Sequence, residues 1–208
     1  MGIYRHRIFP WLCHRALRDE ETTRRRREAL AGVAGEVLEI GFGTGHNLPC
    51  YPEGVTRLVG VDPNPGMHRI AERQVAAAQV PVELVLERAE ALPFPAASFD
   101  AAVSTFTLCS LVDPTAALAE LRRVLRPGGV FAFLEHGLAP EPKIARWQRR
   151  LTPLQRRVGD GCHLDRKIDE LIPAAGFTLE QLETGYQPGG PRVASYLYQG
   201  LARLAPAS

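Results

Sequence analysis

Cysteine is scarce: Cys13, Cys50, Cys109 and Cys162 are the only four in 208 residues, far apart and with no C-x-x-C pair. That scatter argues against a zinc ribbon and against a disulfide framework; no metal site is expected, and the expected compartment is a reducing cytoplasm. Long apolar runs are missing too. None approaches the roughly 20 residues of a membrane-spanning helix, and no secretory leader is evident. Aromatic residues make up 7% of the chain and are not interleaved with basic ones as a stacking platform, so a nucleic-acid partner is not expected. Neither sign of charge dominates, the net value being +2. A chain of this length reads as one domain, residues 1–208, with enough material for a substantial core.

The small net charge hides two basic segments. Residues 1–30 carry eight arginines against four acids, and residues 141–167 carry eight lysines or arginines against three acids. In the first, aromatics mix with Arg and His around Pro10, and a helix start at Asp19, Glu20 and Thr22 leads into the run Arg24 to Arg27. The expected role is a helical lid or simple packing on the domain, in preference to a foot on an anionic membrane surface, because the apolar face is short and interrupted by Pro10.

What the chain does have is glycine in one telling place. The apolar run Val37 to Ile40 reads as a buried strand and breaks into Gly41, Gly43 and Gly45, followed by residues able to start a helix. Glycines there let the backbone turn sharply and let a ligand approach where a Cβ would collide. The dinucleotide fingerprint G-x-G-x-x-G would need glycine at position 46, which is His46. The pattern is instead E-x-G-x-G-x-G, with Glu39 two residues before the first glycine. A second apolar run, Leu58 to Val61, ends in Asp62. A carboxylate at that point of a βαβ unit can accept both hydroxyls of a ribose. Taken alone, Asp62 would be an ordinary turn residue before Pro63; after the glycine loop, ribose binding is the expected role.

From residue 37 onward strand and helix patterns alternate. Strands are expected at 37–40, 57–61, 82–86, 99–104 and 130–134, helices at 65–79 and 114–125, and a turn at Pro127-Gly128-Gly129. Two further segments, 177–186 and 193–201, suit strands meeting antiparallel at a sheet edge. This alternation implies right-handed parallel crossovers. The expected fold is α/β, a Rossmann-like doubly wound sheet of seven strands, mostly parallel with an antiparallel last strand and helices on both faces. Residues 138–164 interrupt the pattern. There Ile144, Trp147, Leu151, Leu154 and Val158 step like one apolar helical face, and Pro153 predicts a break into two short helices over the active site.

With these residues in place the chain resembles the class I S-adenosylmethionine (SAM) methyltransferases over roughly residues 35–205. The motifs that carry the resemblance are VLEIGFGTG, LVGVDPNPGM, AEALPFPAASFDAAV and ELRRVLRPGGVFAFLEH. Three local strings, Asp62-Pro63-Asn64-Pro65, Leu108-Cys109-Ser110 and Asp160-Gly161-Cys162-His163-Leu164, look like the methyltransferase-like protein 7 group, which is associated with S-methylation of thiols. The family's membrane-associated members carry a long apolar N-terminus, and this chain has a short basic one. The resemblance implies that SAM is the cofactor. It implies that Glu39, Gly41, Gly43 and Gly45 line its methionine end and ribose, and that Asp62 holds the ribose hydroxyls. Pro63, Asn64 and Met67 would lie against the adenine or sugar, and Thr105 and Phe106 would flank the sulfonium. Arg88 stands where many relatives carry an Asp that contacts the adenine amino group, so that contact falls to the Ala89 backbone or to Glu90.

The expected acceptor is a small molecule, most plausibly the sulfur of a thiol, sulfide or methanethiol. A thiol needs only a modest push toward thiolate, from a cation, a hydrogen-bonding group or a neutral His. Candidates are His136 after the fifth strand, with Asp160 and His163 as a pair at the pocket mouth. A backbone-bonded His136, and a helix cap supplied by Asp160, His163 or Asp165, are the plain alternatives. His46 is expected to cap the following helix or face solvent. A quinone-precursor C-methyltransferase, a phospholipid N-methyltransferase and a non-catalytic SAM-binding module are the rival readings.

Overall fold

Seven strands, the central parallel ones apolar and buried on both faces, assemble in the order β3-β2-β1-β4-β5-β7-β6. They are β1 (Gly35–Ile40), β2 (Val55–Val61), β3 (Val82–Val85), β4 (Phe99–Thr105), β5 (Leu125–His136), β6 (Phe177–Tyr186) and β7 (Tyr196–Leu204). The computed structural model describes residues 2–204. The first five strands pair in parallel, and β7 runs antiparallel to both β5 and β6, as the sequence predicts. Successive side chains alternate faces. In β1, Leu38 and Ile40 enter one core with Phe131, Phe133, Leu118 and Leu121, while Val37 enters the opposite core with Leu30, Leu58 and Ala132.

Helices α1 (Phe9–Ala16), α2 (Glu20–Leu30), α3 (Pro65–Val75), α4 (Pro114–Val124), α5 (Pro142–Val158) and α6 (Ile168–Ala174) cover the sheet and its carboxyl edge. None of the described helices is long and apolar enough to cross a membrane. Local chemistry sets their starts. Asp19 caps α2 by accepting from Thr22 N at 2.9 Å, Asn64 caps α3 by accepting from Gly66 N at 2.9 Å, and Asp113 caps α4 through Thr115 N and Ala116 N. Pro65 and Pro114 occupy first-turn positions where no amide hydrogen is needed.

Six local expectations are corrected. The glycine loop opens no α-helix; only a 3-10 turn, Leu48–Cys50, follows, with Pro49 inside it and Pro52 just beyond. Helix α3 stops at Val75 instead of Gln79, its end tightened by bonds from Ala77 to Gln74 and from Ala78 to Val75. Pro127-Gly128-Gly129 is an irregularity within β5, not a turn before it, since Leu125 already pairs with Phe99 and regular pairing resumes at Val130. Helix α5 runs unbroken through Pro153, which lies on its exposed face, where water can satisfy the Arg149 carbonyl. The face that α5 buries is Ala145, Gln148 and Thr152; Trp147, Leu154 and Val158 are exposed. Gln148 decides this orientation by donating to Gly137 O at 3.0 Å and accepting from Ala139 N at 2.8 Å. Finally, α6 begins after Lys167 with no side-chain cap from Asp160, His163 or Asp165.

The strand order reverses between β1 and β4, and open α/β sheets bind ligands in the crevice at such a point. The loops leaving Ile40 and Thr105 border it.

Candidate functional site

Two sharp backbone bends shape a cleft of about 290 Å³ at the β1/β4 carboxyl edge. At Gly41 the backbone has φ +64, and a Cβ there would lie 2.0 Å from Thr107 Oγ1, so the first bend packs directly on the loop after β4. At Gly43, with φ +57, a Cβ would meet only the Gly41 carbonyl oxygen, at 3.7 Å, and would otherwise project into free space. Gly43 thus leaves open a cradle that any side chain would fill. The other bend, at Phe106, has φ +53, a conformation that a non-glycine residue adopts only when its surroundings impose it. Here Phe106 N donates to Leu134 O at 2.9 Å, and Glu135 holds the next turn. The fully buried Glu135 carboxylate accepts from Ser104 Oγ at 2.6 Å and from the backbone N–H of Thr107, Leu108 and Cys109.

Asp62 lies at the cleft with each carboxylate oxygen already holding one backbone amide, Oδ2 from Gly43 at 3.0 Å and Oδ1 from Asn64 at 2.8 Å. Burial pushes its pKa up, and those two amides oppose the shift. Each oxygen retains acceptor capacity, which is what a vicinal diol requires. Pro63, Asn64 and Met67 continue the wall beyond Asp62, Arg88, Ala89 and Glu90 form the far side, and Thr105 and Phe106 form the near side. Arg88 pairs with Glu90 at 3.1 Å. These residues, with Gly41 and Gly43, line one cleft. An acidic residue beneath an open glycine bend fits an adenosyl group.

Glu39 and Gly45 do not line the cleft. The Glu39 carboxyl points behind the glycine loop, where Asn47 Nδ2 donates to it at 2.8 Å and Tyr51 Oη at 2.7 Å. Burial raises its pKa to about 7 against the pull of these donors and of nearby Arg26. Gly45 packs beside Gln74 and Leu48. The residue that reaches the ligand space from this network is Arg26. Its Nη1 donates to Asn47 Oδ1 at 2.7 Å and Thr105 Oγ1 at 2.9 Å, its guanidinium sits 5.4 Å from the Phe106 ring centre, and it lines the cleft. The side chain is buried, and its Nε has no partner among the described residues. Helical spacing could have identified it: Thr22, Ala29 and Leu30, four back and three and four ahead of Arg26, are all buried, so Arg26 shares their face.

The N-terminal segment closes one side of the cleft with Arg5, His6, Phe9, Cys13 and Leu17. Asn64 anchors it by donating to Arg5 O at 2.9 Å, with His6 Nδ1 3.2 Å from Asn64 Oδ1. Arg5 also pairs with Asp160 at 3.2 Å, and Tyr4 Oη donates to Val158 O at 2.5 Å. His46 lines the cleft, stacked on His14 with ring centres 4.7 Å apart, and burial holds its pKa down to about 4. It neither caps a helix nor faces solvent alone.

The three catalytic candidates are not brought together. Asp160 alone lines the cleft, engaged with Arg5. His163 is off the cleft, 3.8 Å from Asp165 instead of paired with Asp160. His136 is buried behind the wall with Nδ1 3.8 Å from Cys162 Sγ.

The family profile described as Methyltransferase domain matches residues 38–133. Thiol S-methyltransferase TMT1B of Rattus norvegicus is 38% identical over 165 residues, 76% of this chain and 66% of that protein, so the chain spans about two-thirds of its length. Phosphatidylethanolamine N-methyltransferase of Cereibacter sphaeroides is 32% identical over 174 residues, covering 82% of this chain and 83% of that one. Among solved structures, the YcgJ protein of Bacillus subtilis superimposes with a TM-score of 0.73 at 17% identity, covering 91% of this chain and 100% of that one.

Proposed function

The chain belongs to the class I SAM-dependent methyltransferases, and we propose that it delivers the methyl group to the sulfur of a small apolar thiol. When bound, SAM supplies a methyl group already activated on a sulfonium, which leaves the protein to bind, orient and exclude water. Asp62 would accept from the ribose hydroxyls, and Gly41 and Gly43 would allow close approach. Arg26 would offer its guanidinium to the carboxylate of the methionyl end, a charge-assisted contact. Thr105 and Phe106 border the reacting centre.

The observation that carries the choice of acceptor is the character of the remaining wall. Phe9, Leu17, Leu111 and Val112 present apolar surface, while the titratable groups beside them are committed or weak. Asp160 is tied to Arg5, and His46, with its pKa near 4, is a poor proton acceptor at neutral pH. A hydroxyl acceptor would need a strong base at this wall. A thiol, with a free pKa of about 8.5, already supplies thiolate at useful concentration. The relative named as a thiol S-methyltransferase supports the same reading.

The test is turnover of the purified full chain with SAM against alkyl thiols of increasing length, demethylated quinone precursors and phosphatidylethanolamine. Methylation of thiols is expected, with kcat/KM rising as pH passes through the acceptor's own thiol pKa. Activity confined to the quinone precursor or to the lipid would overturn the proposal.

A further inference from the structure

Behind the cleft wall, three residues from separate segments converge: Cys109 from the loop after β4, His136 at the end of β5, and Cys162 from the loop after α5. Cys109 Sγ and Cys162 Sγ are 3.8 Å apart, Cys162 Sγ is 3.8 Å from His136 Nδ1, and all three ligand atoms lie within 4.8 Å of one another. We propose that this trio is a binding site for one Zn²⁺ ion, held by two thiolates and an imidazole.

A tetrahedral centre with metal–sulfur bonds of about 2.3 Å has sulfur–sulfur edges of roughly 3.8 Å. The observed sulfur separation is that edge. Two thiols in contact also stand 3.8 Å apart, and it is the imidazole at the same distance from Cys162 Sγ that turns the pair into a donor set. A disulfide would need the sulfurs at about 2.05 Å and would leave the imidazole without a role. Histidine and two cysteines are a borderline-soft donor set of the kind zinc takes, with one coordination position left for water or another donor. Zn²⁺ displaces the two thiol protons to solvent, so the dication and two thiolates balance in charge.

The surroundings hold the trio in place. His163 N donates to Cys109 O at 2.8 Å, and Arg166 donates to the carbonyls of Leu108 and Leu111. A Cβ at Gly161 would stand 2.7 Å from Ser110 O, so the two loops touch backbone to backbone. The His136 ring is buried, and its Nε2 has no partner among the described residues. Ser110 lines the cleft and has Oγ 3.5 Å from Cys109 Sγ, so the ion would stand one residue behind the ligand space and join its two walls. No C-x-x-C spacing announces the site, because the ligands come from the loop after β4, the end of β5 and the loop after α5. The inference is independent of which acceptor the enzyme uses.

The full chain, purified under reductant, is incubated with Zn²⁺, desalted and measured by inductively coupled plasma mass spectrometry, and Co²⁺ replaces Zn²⁺ for absorption spectra. About one equivalent of zinc is expected, with sulfur-to-cobalt charge transfer in the spectrum. Cys109→Ser and Cys162→Ser should each weaken zinc by more than the roughly 10–100-fold that loss of an outer-shell partner costs, while Cys50→Ser retains it. Circular dichroism checks that the variants are folded, and the cobalt spectrum of the unmodified chain tests thiolate ligation even where a variant does not fold. Absence of retained zinc, a cobalt spectrum without sulfur charge transfer, or folded serine variants that bind as tightly as the parent would overturn the proposal.

Discussion

Replacing Asp62 with Asn tests the cofactor site at its most constrained atom pair. The side chain keeps its shape, but one oxygen becomes an amino group. Because the carboxylate accepts from Gly43 N at 3.0 Å on one oxygen and Asn64 N at 2.8 Å on the other, the new N–H₂ must face one of these amides, donor against donor. The diol meets an uncharged partner with one acceptor fewer. Losing one charge-assisted hydrogen bond costs about 1.5–3 kcal/mol, or roughly 10–150-fold in Kd. Burial already disfavours the charged carboxylate in the folded protein, so loss of the charge itself costs little, but the opposed donors should lower the melting temperature as well. Binding is therefore measured below the onset of unfolding of the variant. Calorimetric titration of S-adenosylhomocysteine and of adenosine should show a similar fold-loss for both, because the ribose is common to them. A Kd for S-adenosylhomocysteine within about twofold of the parent would refute the assignment of Asp62 to the ribose.

Arg26→Met keeps the length of the side chain and removes its charge. S-adenosylhomocysteine should bind about 10–100-fold more weakly, the range for a charged hydrogen bond. Methylthioadenosine, which lacks the amino-acid end, should lose far less, and equal losses would remove Arg26 from the methionyl end. Glu39 governs a pH effect. Its carboxyl titrates near 7 when folded against 4.5 when free, so the folded protein holds the extra proton between those values. The stabilisation from the neutral acid is complete below pH 4.5 and fades as pH rises through about 7, by about 3 kcal/mol in all. Glu39→Gln should remove that part of the slope in denaturant melts at pH 5 and pH 8. An unchanged slope would mean that Glu39 is solvated in the fold.

The sheet was readable because its signals are local. Val37 to Ile40 and Leu58 to Val61 are apolar on both faces, and the prolines and glycines bounding them mark where strands stop. Asp62 could be placed for the same reason, since a residue just past the end of a parallel strand lies at the binding edge, whereas the places of Asn64 and Thr105 rested on the family resemblance. Contacts that depend on remote partners were harder to see. Glu39 follows the motif spacing to the end of β1, yet its side chain turns away because Asn47 and Tyr51 offer it donors behind the bend. On α5 the apolar stripe suggested burial, and a single polar residue, Gln148, turned the helix by bonding both sides of the chain after β5. Arg26 stands in a run of four arginines, and its burial follows from the face that α2 turns to the sheet. Cys109 and Cys162 are 53 positions apart and meet only because two loops cross the same edge.

The position of Asn64 has a consequence for the working cycle. This residue caps α3, donates its backbone N–H to Asp62 and holds the Arg5 backbone, so the floor of the cleft and the segment over it share one fastening. With the cofactor bound as proposed, those bonds would shelter the sulfonium from water and stand in the path of the spent nucleoside. Release is therefore expected to require the first turns to peel away from Asn64, and a pre-steady-state burst of methylated product would show that this step is slower than chemistry.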